Sequence, residues 1–141
     1  MKIFPELNGF VIYSPERLEE YLEKVKVGDL LEHLANSEDD GLLVDSGVLL
    51  PIFNVEEGLY NVVVTTRKSI ADEFLGFFSS EGMLCVVGVG YLSGYSYDSL
   101  CAKGKVFKYS LDKGGYLISY QLDGELLRLV VTSDEKKQEQ E

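Results

Sequence analysis

Asp123-Gly124 stands between two apolar runs, Tyr116 to Leu122 and Glu125 to Thr132, and constrains the chain more than any other feature. An Asp-Gly pair tolerates the positive φ of a primed turn, whose twist matches that of the flanking strands. A two-residue loop at this point sets Tyr120 opposite Leu127, Ile118 opposite Leu129 and Tyr116 opposite Val131, all six on one face. Ser119 and Arg128 then face each other on the other side. A hairpin with one apolar face needs a second layer to cover it.

Further strand patterns supply the rest of a sheet. Phe10 to Tyr13, Met83 to Tyr91 and Lys105 to Leu111 are apolar or half-apolar runs, and Leu59 to Thr66 alternates with Tyr60, Val62 and Val64 inward. Leu42 to Asp45 and Val48 to Phe53 flank Ser46-Gly47 and predict another hairpin, with Pro51 on an edge strand or at a bulge because it cannot donate to a ladder.

Helical spacing is concentrated near the start. Ser14-Pro15-Glu16 combines a serine N-cap, a first-turn proline and an acid at the positive helix end. Leu18, Tyr21, Leu22 and Val25 follow as one stripe, and Gly28 ends the helix. Asp29 to Glu32 opens a second short helix with a variant capping box. Between Lys68 and Ser80, the spacing of Ile70, Phe74, Phe77 and Phe78 predicts a third. The expected architecture is α+β: two N-terminal helices packed on a mostly antiparallel sheet of six to eight strands, a single domain over residues 1–133. Residues 134–141 have no apolar side chain and read as a solvated charged tail.

Composition narrows the function classes. A chain of 141 residues, 45% of them hydrophobic, can fill a core without disulfide, metal or cofactor. One histidine and two cysteines are too few for a four-ligand zinc site, and Cys85, inside Met83 to Val87, reads as a small buried hydrophobe. No run approaches a membrane span, and Met1 to Glu6 lacks the apolar stretch of a secretory leader, so residence in the cytoplasm is expected. The net charge is −11, with −9 of it on residues 1–57. That field opposes nucleic-acid backbones and speeds encounter with basic proteins; solubility alone is its simplest role.

The chemistry-bearing motifs are few. Gly88-Val89-Gly90-Tyr91-Leu92-Ser93-Gly94 looks superficially like a dinucleotide fingerprint, but Tyr95 to Ser99 reads as loop where that motif needs a helix. Nucleophilic catalysis would have to use His33, with a serine or with Cys101, and no serine stands in a nucleophile-elbow context. No catalytic residue and no metal or cofactor site is therefore assigned. Tyr91, Tyr95, Tyr97 and Asp98 form a loop suited to a binding surface, or one whose tyrosines fold back on the sheet. Glu38, Asp39 and Asp40 in one acidic turn, and Glu56 and Glu57 in another, complete the expected partner-binding set.

These features point to a protein-binding module for a basic partner, a toxin or an enzyme. Small size, concentrated acidity and a tyrosine-rich loop are similar in profile to bacterial immunity proteins. Two other readings are a structural or adaptor subunit that oligomerises through sheet edges, and a small hydrolase using a carboxylate pair.

Overall fold

Strand β2 (Phe10–Tyr13) has no exposed residue, and that fact organises the molecule. A short run without a polar break suits a strand covered on both faces. The computed structural model describes residues 2–25, 29–32, 44–67 and 72–134. Phe10 and Ile12 join one apolar cluster, Val11 and Tyr13 a second one behind it. Strand β6 (Met83–Gly88), paired antiparallel with β2, repeats the division with Leu84 and Val86 against Cys85 and Val87. Burying such a side chain fully contributes about 1.5–3 kcal/mol, so this pair of strands serves two cores at once.

With β3 (Leu49–Ile52) and β7 (Phe107–Ser110) they form a four-stranded sheet in the order β3-β2-β6-β7. Pro51 thus lies on an edge strand, as its missing donor requires. A five-stranded sheet packs on one face, in the order β1-β4-β9-β8-β5. Its strands are β1 (Lys2–Ile3), β4 (Tyr60–Thr65), β5 (Glu73–Ser80), β8 (Gly114–Asp123) and β9 (Leu126–Ser133). Ile3, Tyr60, Val62, Phe78, Ile118, Leu127, Leu129 and Val131 fill the space between the sheets. Helix α1 (Pro15–Val25), residues 30–32, a 3-10 turn (Val89–Leu92) and α2 (Tyr97–Ala102) cover the other face of the four-stranded sheet. Among the described residues no helix is long and apolar enough to cross a membrane.

The fold is thus α+β and mostly antiparallel, but the expected arrangement changes in several places. Two sheets replace one, and α1 follows two strands rather than opening the chain. Of the second helix, residues 30–32 are helical and capped by Asp29, whose Oδ2 accepts the Glu32 N–H at 3.1 Å; residues 33–43, like Gly28 and the tail from 135, lie outside the described residues. Ser14 carries the first backbone bond of α1 through its carbonyl, from Leu18 N at 2.9 Å. Its hydroxyl, however, is buried without a partner among the described residues instead of capping the helix.

Ser46-Gly47 does not make a hairpin. Val44 and Asp45 are helical, and Gly47, at φ 77°, ends that turn with its N–H on the Val44 carbonyl. Strand β3 pairs instead with β2, Phe10 opposite Ile52 through Tyr13 opposite Leu49.

The predicted helix over Lys68 to Ser80 is a strand across its described part. Residues 68–71 lie outside the described residues, and β5 pairs with β8 with a bulge between Phe74 and Gly76. The bulge explains the helical-looking spacing. Phe74 opposes Ser119 and Phe77 opposes Leu117, so residues three apart share a face. Gly76 leaves room at that point for Leu50, whose Cδ2 would sit 3.0 Å from a Cβ there.

The β8–β9 hairpin forms with its turn one residue later than expected. Asp123 opposes Leu126, leaving Gly124 and Glu125 as the loop, with Gly124 at φ 58°. Tyr120 then faces Leu129, Ile118 faces Val131, and Tyr116 faces Ser133. The slip is two residues, so every side chain keeps its face. Ser119 meets Val130, and Arg128 meets Gln121.

Strand β9 runs parallel to β4, the only parallel pairing among the described strands. Strand β4 ends beside β9, whereas β5 begins beyond β8 at the edge of this sheet. Arg128 of β9 holds the chain both just after β4 and just before β5, donating to the Arg67 carbonyl and pairing with the buried Asp72 carboxylate.

Candidate functional site

Where β3 ends, the chain turns outward. Phe53 is 62% exposed, Asn54 adopts φ 61°, and Val55 dives back into the core between the sheets. That anchor is reinforced by the Val55 N–H on the Asn8 carbonyl at 3.0 Å. The Tyr60 hydroxyl donates to the Glu56 carbonyl at 2.8 Å, while its ring meets Phe10 edge-to-face at 5.5 Å. The loop is thereby held with Glu56 and Glu57 in solvent and Leu59 52% exposed.

The facing wall comes from β5 and β8. Phe53, Asn54, Glu73, Tyr120, Gln121 and Leu122 enclose an open cleft of about 420 Å³. The Tyr120 hydroxyl donates to Glu73 Oε2 at 3.0 Å, fixing the carboxylate at the rim. Burial and then the Glu73 carboxylate push the Tyr120 phenol above its ordinary range. Burial, Glu56 and Glu125 do the same to Tyr60, which places the β8–β9 turn in the same field. The Asn61 N–H on the Glu125 carbonyl, at 2.8 Å, ties that turn to β4. Glu56, Glu57, Glu73, Asp123 and Glu125 therefore converge on one end of the sandwich beside two large exposed apolar side chains. Lys2, opposite Asn61 on β1, is the cation of the adjoining strand.

The tyrosine-rich segment is arranged differently. Gly88 and Gly90 accept the N-terminal loop: a Cβ on Gly88 would lie 2.5 Å from the Phe4 carbonyl oxygen, and one on Gly90 2.2 Å from Glu6 Cγ. This close approach, rather than a cofactor, accounts for the paired glycines. The following Tyr95 to Ser99 is not all loop, since α2 begins at Tyr97 with the Ser96 hydroxyl accepting the Ser99 N–H at 3.3 Å. Tyr91, Tyr95 and Tyr97 are half-buried against the second cluster, and Asp98 is exposed in the first turn of α2.

Tyr95 meets Tyr13 edge-to-face at 6.0 Å. Their hydroxyls are close enough to perturb one another, but neither is in hydrogen-bonding geometry. Burial raises both phenols, and burial with the thiols of Cys85 and Cys101 raises Tyr97. Cys85 is fully buried, its thiol pushed up to about 12 by burial and then by Cys101. A thiol so shifted is a core group, not a nucleophile at neutral pH.

The expected partner-binding residues thus fall into separate places. Glu56 and Glu57 are exposed on the loop whose Phe53 and Asn54 line the cleft, Tyr91, Tyr95, Tyr97 and Asp98 belong to the helix-covered side, and Glu38, Asp39 and Asp40 lie outside the described residues, as does His33. Sequence reasoning missed Phe53, Leu59, Glu73 and Tyr120; the one usable signal was Asn54, a residue that tolerates positive φ, directly after an apolar run. Among the described residues no group of three or more His, Cys, Asp or Glu side chains could hold a metal ion. Comparison with protein-family models, with curated proteins and with solved structures returns no match.

Proposed function

We propose that the chain is a binding module that takes up a basic partner protein at the end formed by the 53–59 loop, the start of β5 and the β8–β9 turn. The observation that carries this reading is the juxtaposition of exposed Phe53 and Leu59 with an open cleft lined by Glu73 and with the exposed Glu56, Glu57, Asp123 and Glu125 on the flanking turns. Large apolar side chains rimmed by charge are the usual composition of a protein-contact patch. Among the described residues Glu73 is the only carboxylate lining the cleft, so a carboxylate-pair hydrolase finds less support there. An inhibitor or immunity protein that occludes a toxin or enzyme is the narrower form of the proposal, supported by small size and the −11 charge.

The test is capture of the partner from native lysate, followed by binding kinetics at two salt concentrations. Glu56→Lys with Glu57→Lys is expected to slow association several-fold at low salt and to flatten its salt dependence. Phe53→Ala is expected to speed dissociation, at a cost of about 2 kcal/mol if it anchors the contact. An acidic partner, or unchanged kinetics in both variants, would overturn the proposal.

A further inference from the structure

Against the acidity of the whole, residues 103–113 carry four lysines and one acid. Two of these lysines converge on a second cleft of about 350 Å³, lined by Gly90, Tyr91, Ser93, Gly94, Ser96, Ser99, Leu100, Lys103 and Lys105. The convergence is built by the end of α2. Gly104, at φ 67°, donates to the Cys101 carbonyl at 3.1 Å while Lys105 N donates to the Leu100 carbonyl at 2.9 Å. This pair of bonds is a Schellman cap, and it returns the chain so that the lysines on either side of the glycine line the same cleft. Ser96, Ser99 and Lys103 follow at helical spacing on one face of α2. Lys105 Nζ lies over the Tyr91 ring, 5.5 Å from its centroid. Among the described residues neither Lys103 nor Lys105 has a carboxylate within ion-pair distance.

We infer that this cleft binds a small phosphate monoester, a ligand separate from any protein partner at the acidic end. Two ammonium groups and the hydroxyls of Ser96 and Ser99 offer more donors than a carboxylate has oxygens to accept, and they suit a dianion with three terminal oxygens. Tyr91 and Leu100 supply an apolar wall for the esterified group. The volume is that of a small-molecule site, and the net charge of −11 turns away polyanions. The glycine-rich segment contributes shape rather than a backbone cradle. Its amides are already engaged, Gly90 N with the Glu6 carbonyl and Gly94 N with Asp29 Oδ1 at 2.7 Å. Asp29 also accepts from Ser93 Oγ at 3.5 Å, and these donors, Gly94 foremost, hold its carboxyl below the usual range.

The test follows backbone amide shifts of the full chain during titration with inorganic phosphate, phenyl phosphate and benzoate. Saturable shifts at Ser96, Ser99 and Lys103 to Lys105 are expected with phenyl phosphate, weaker ones with phosphate, and none that saturate with benzoate. Lys103→Gln with Lys105→Gln is expected to weaken phenyl phosphate about tenfold or more while leaving the melting transition in place. Linear shifts, or affinity untouched by the double variant, would leave the lysines as complements to the α2 carbonyl end and overturn the site. Benzoate binding as tightly as phenyl phosphate would overturn the assignment to phosphate.

Discussion

Two sets of aromatic side chains divide the surface of this protein. On the helix-covered side, Tyr91, Tyr95 and Tyr97 come from an irregular, glycine- and serine-rich segment, yet their rings pack inward against Tyr13, Cys85 and Cys101. At the acidic end, Phe53 and Phe74 border or belong to strands and yet are 62% and 65% exposed. Local character would assign them the other way round, with the loop tyrosines outside and the strand phenylalanines inside. What decides is the second contact. Tyr95 has a ring to meet in Tyr13. Phe53 follows the last paired residue of β3, just before Asn54 turns the chain away, and Phe74 stands at the bulge of an edge strand.

The comparison breaks most visibly if Tyr95 is shortened. Tyr95→Ala is expected to cost about 2–4 kcal/mol in urea unfolding, since it opens a cavity against Tyr13; a loss under about 1 kcal/mol would mean the ring is not part of the core. A smaller effect comes with alkali. The Cys85 thiol, raised from 9.0 to about 12, keeps its proton in the folded chain over a window in which the unfolded chain releases it. Stability from this group is therefore whole below pH 9 and is lost as pH rises toward 12. The raised phenols of Tyr13, Tyr95 and Tyr97 act in the same direction. Removing the thiol with Cys85→Ala is expected to flatten the decline by about 1.4 kcal/mol per pH unit, read from urea midpoints between pH 9 and pH 11. Smallest of all is Phe53→Ala, expected to change stability by no more than about 0.5 kcal/mol. A larger loss would show that Phe53 belongs to the core and would remove it from the proposed contact.

Much of the framework was legible before any coordinates. The alternation of Tyr60, Val62 and Val64 marks β4 and its inner face, and the unbroken Phe10 to Tyr13 marks a strand that proves to be covered on both sides. The hairpin around Gly124 keeps every predicted face because its slip is even. Two of the errors share a cause, namely glycine serving a contact that no local pattern encodes. Gly76 makes room for Leu50 at a bulge, which turns a period of two into an apparent helical one. Gly47 closes a helical turn against β5, where a Cβ would sit 2.7 Å from Ser79 N. The candidate site was harder still to read. Val48 to Phe53 is one apolar run in sequence, and only the turn at Asn54 separates buried Ile52 from exposed Phe53.

The parallel pairing of β4 with β9 also orders events during synthesis. Strands β4 and β5 are translated long before residues 114–133, yet each finds its long strand partner only there, β4 on β9 and β5 on β8. Until that hairpin emerges, the two-residue β1 is the only strand of its own sheet that β4 can pair with. Val62 must therefore wait for Leu127, about 65 residues further on, and Phe78 for Tyr116, about 40 further on, an interval of several seconds at ordinary elongation rates. Such an interval favours a protected nascent chain, and it makes the β8–β9 hairpin the piece whose arrival closes the sandwich rather than the seed from which it grows.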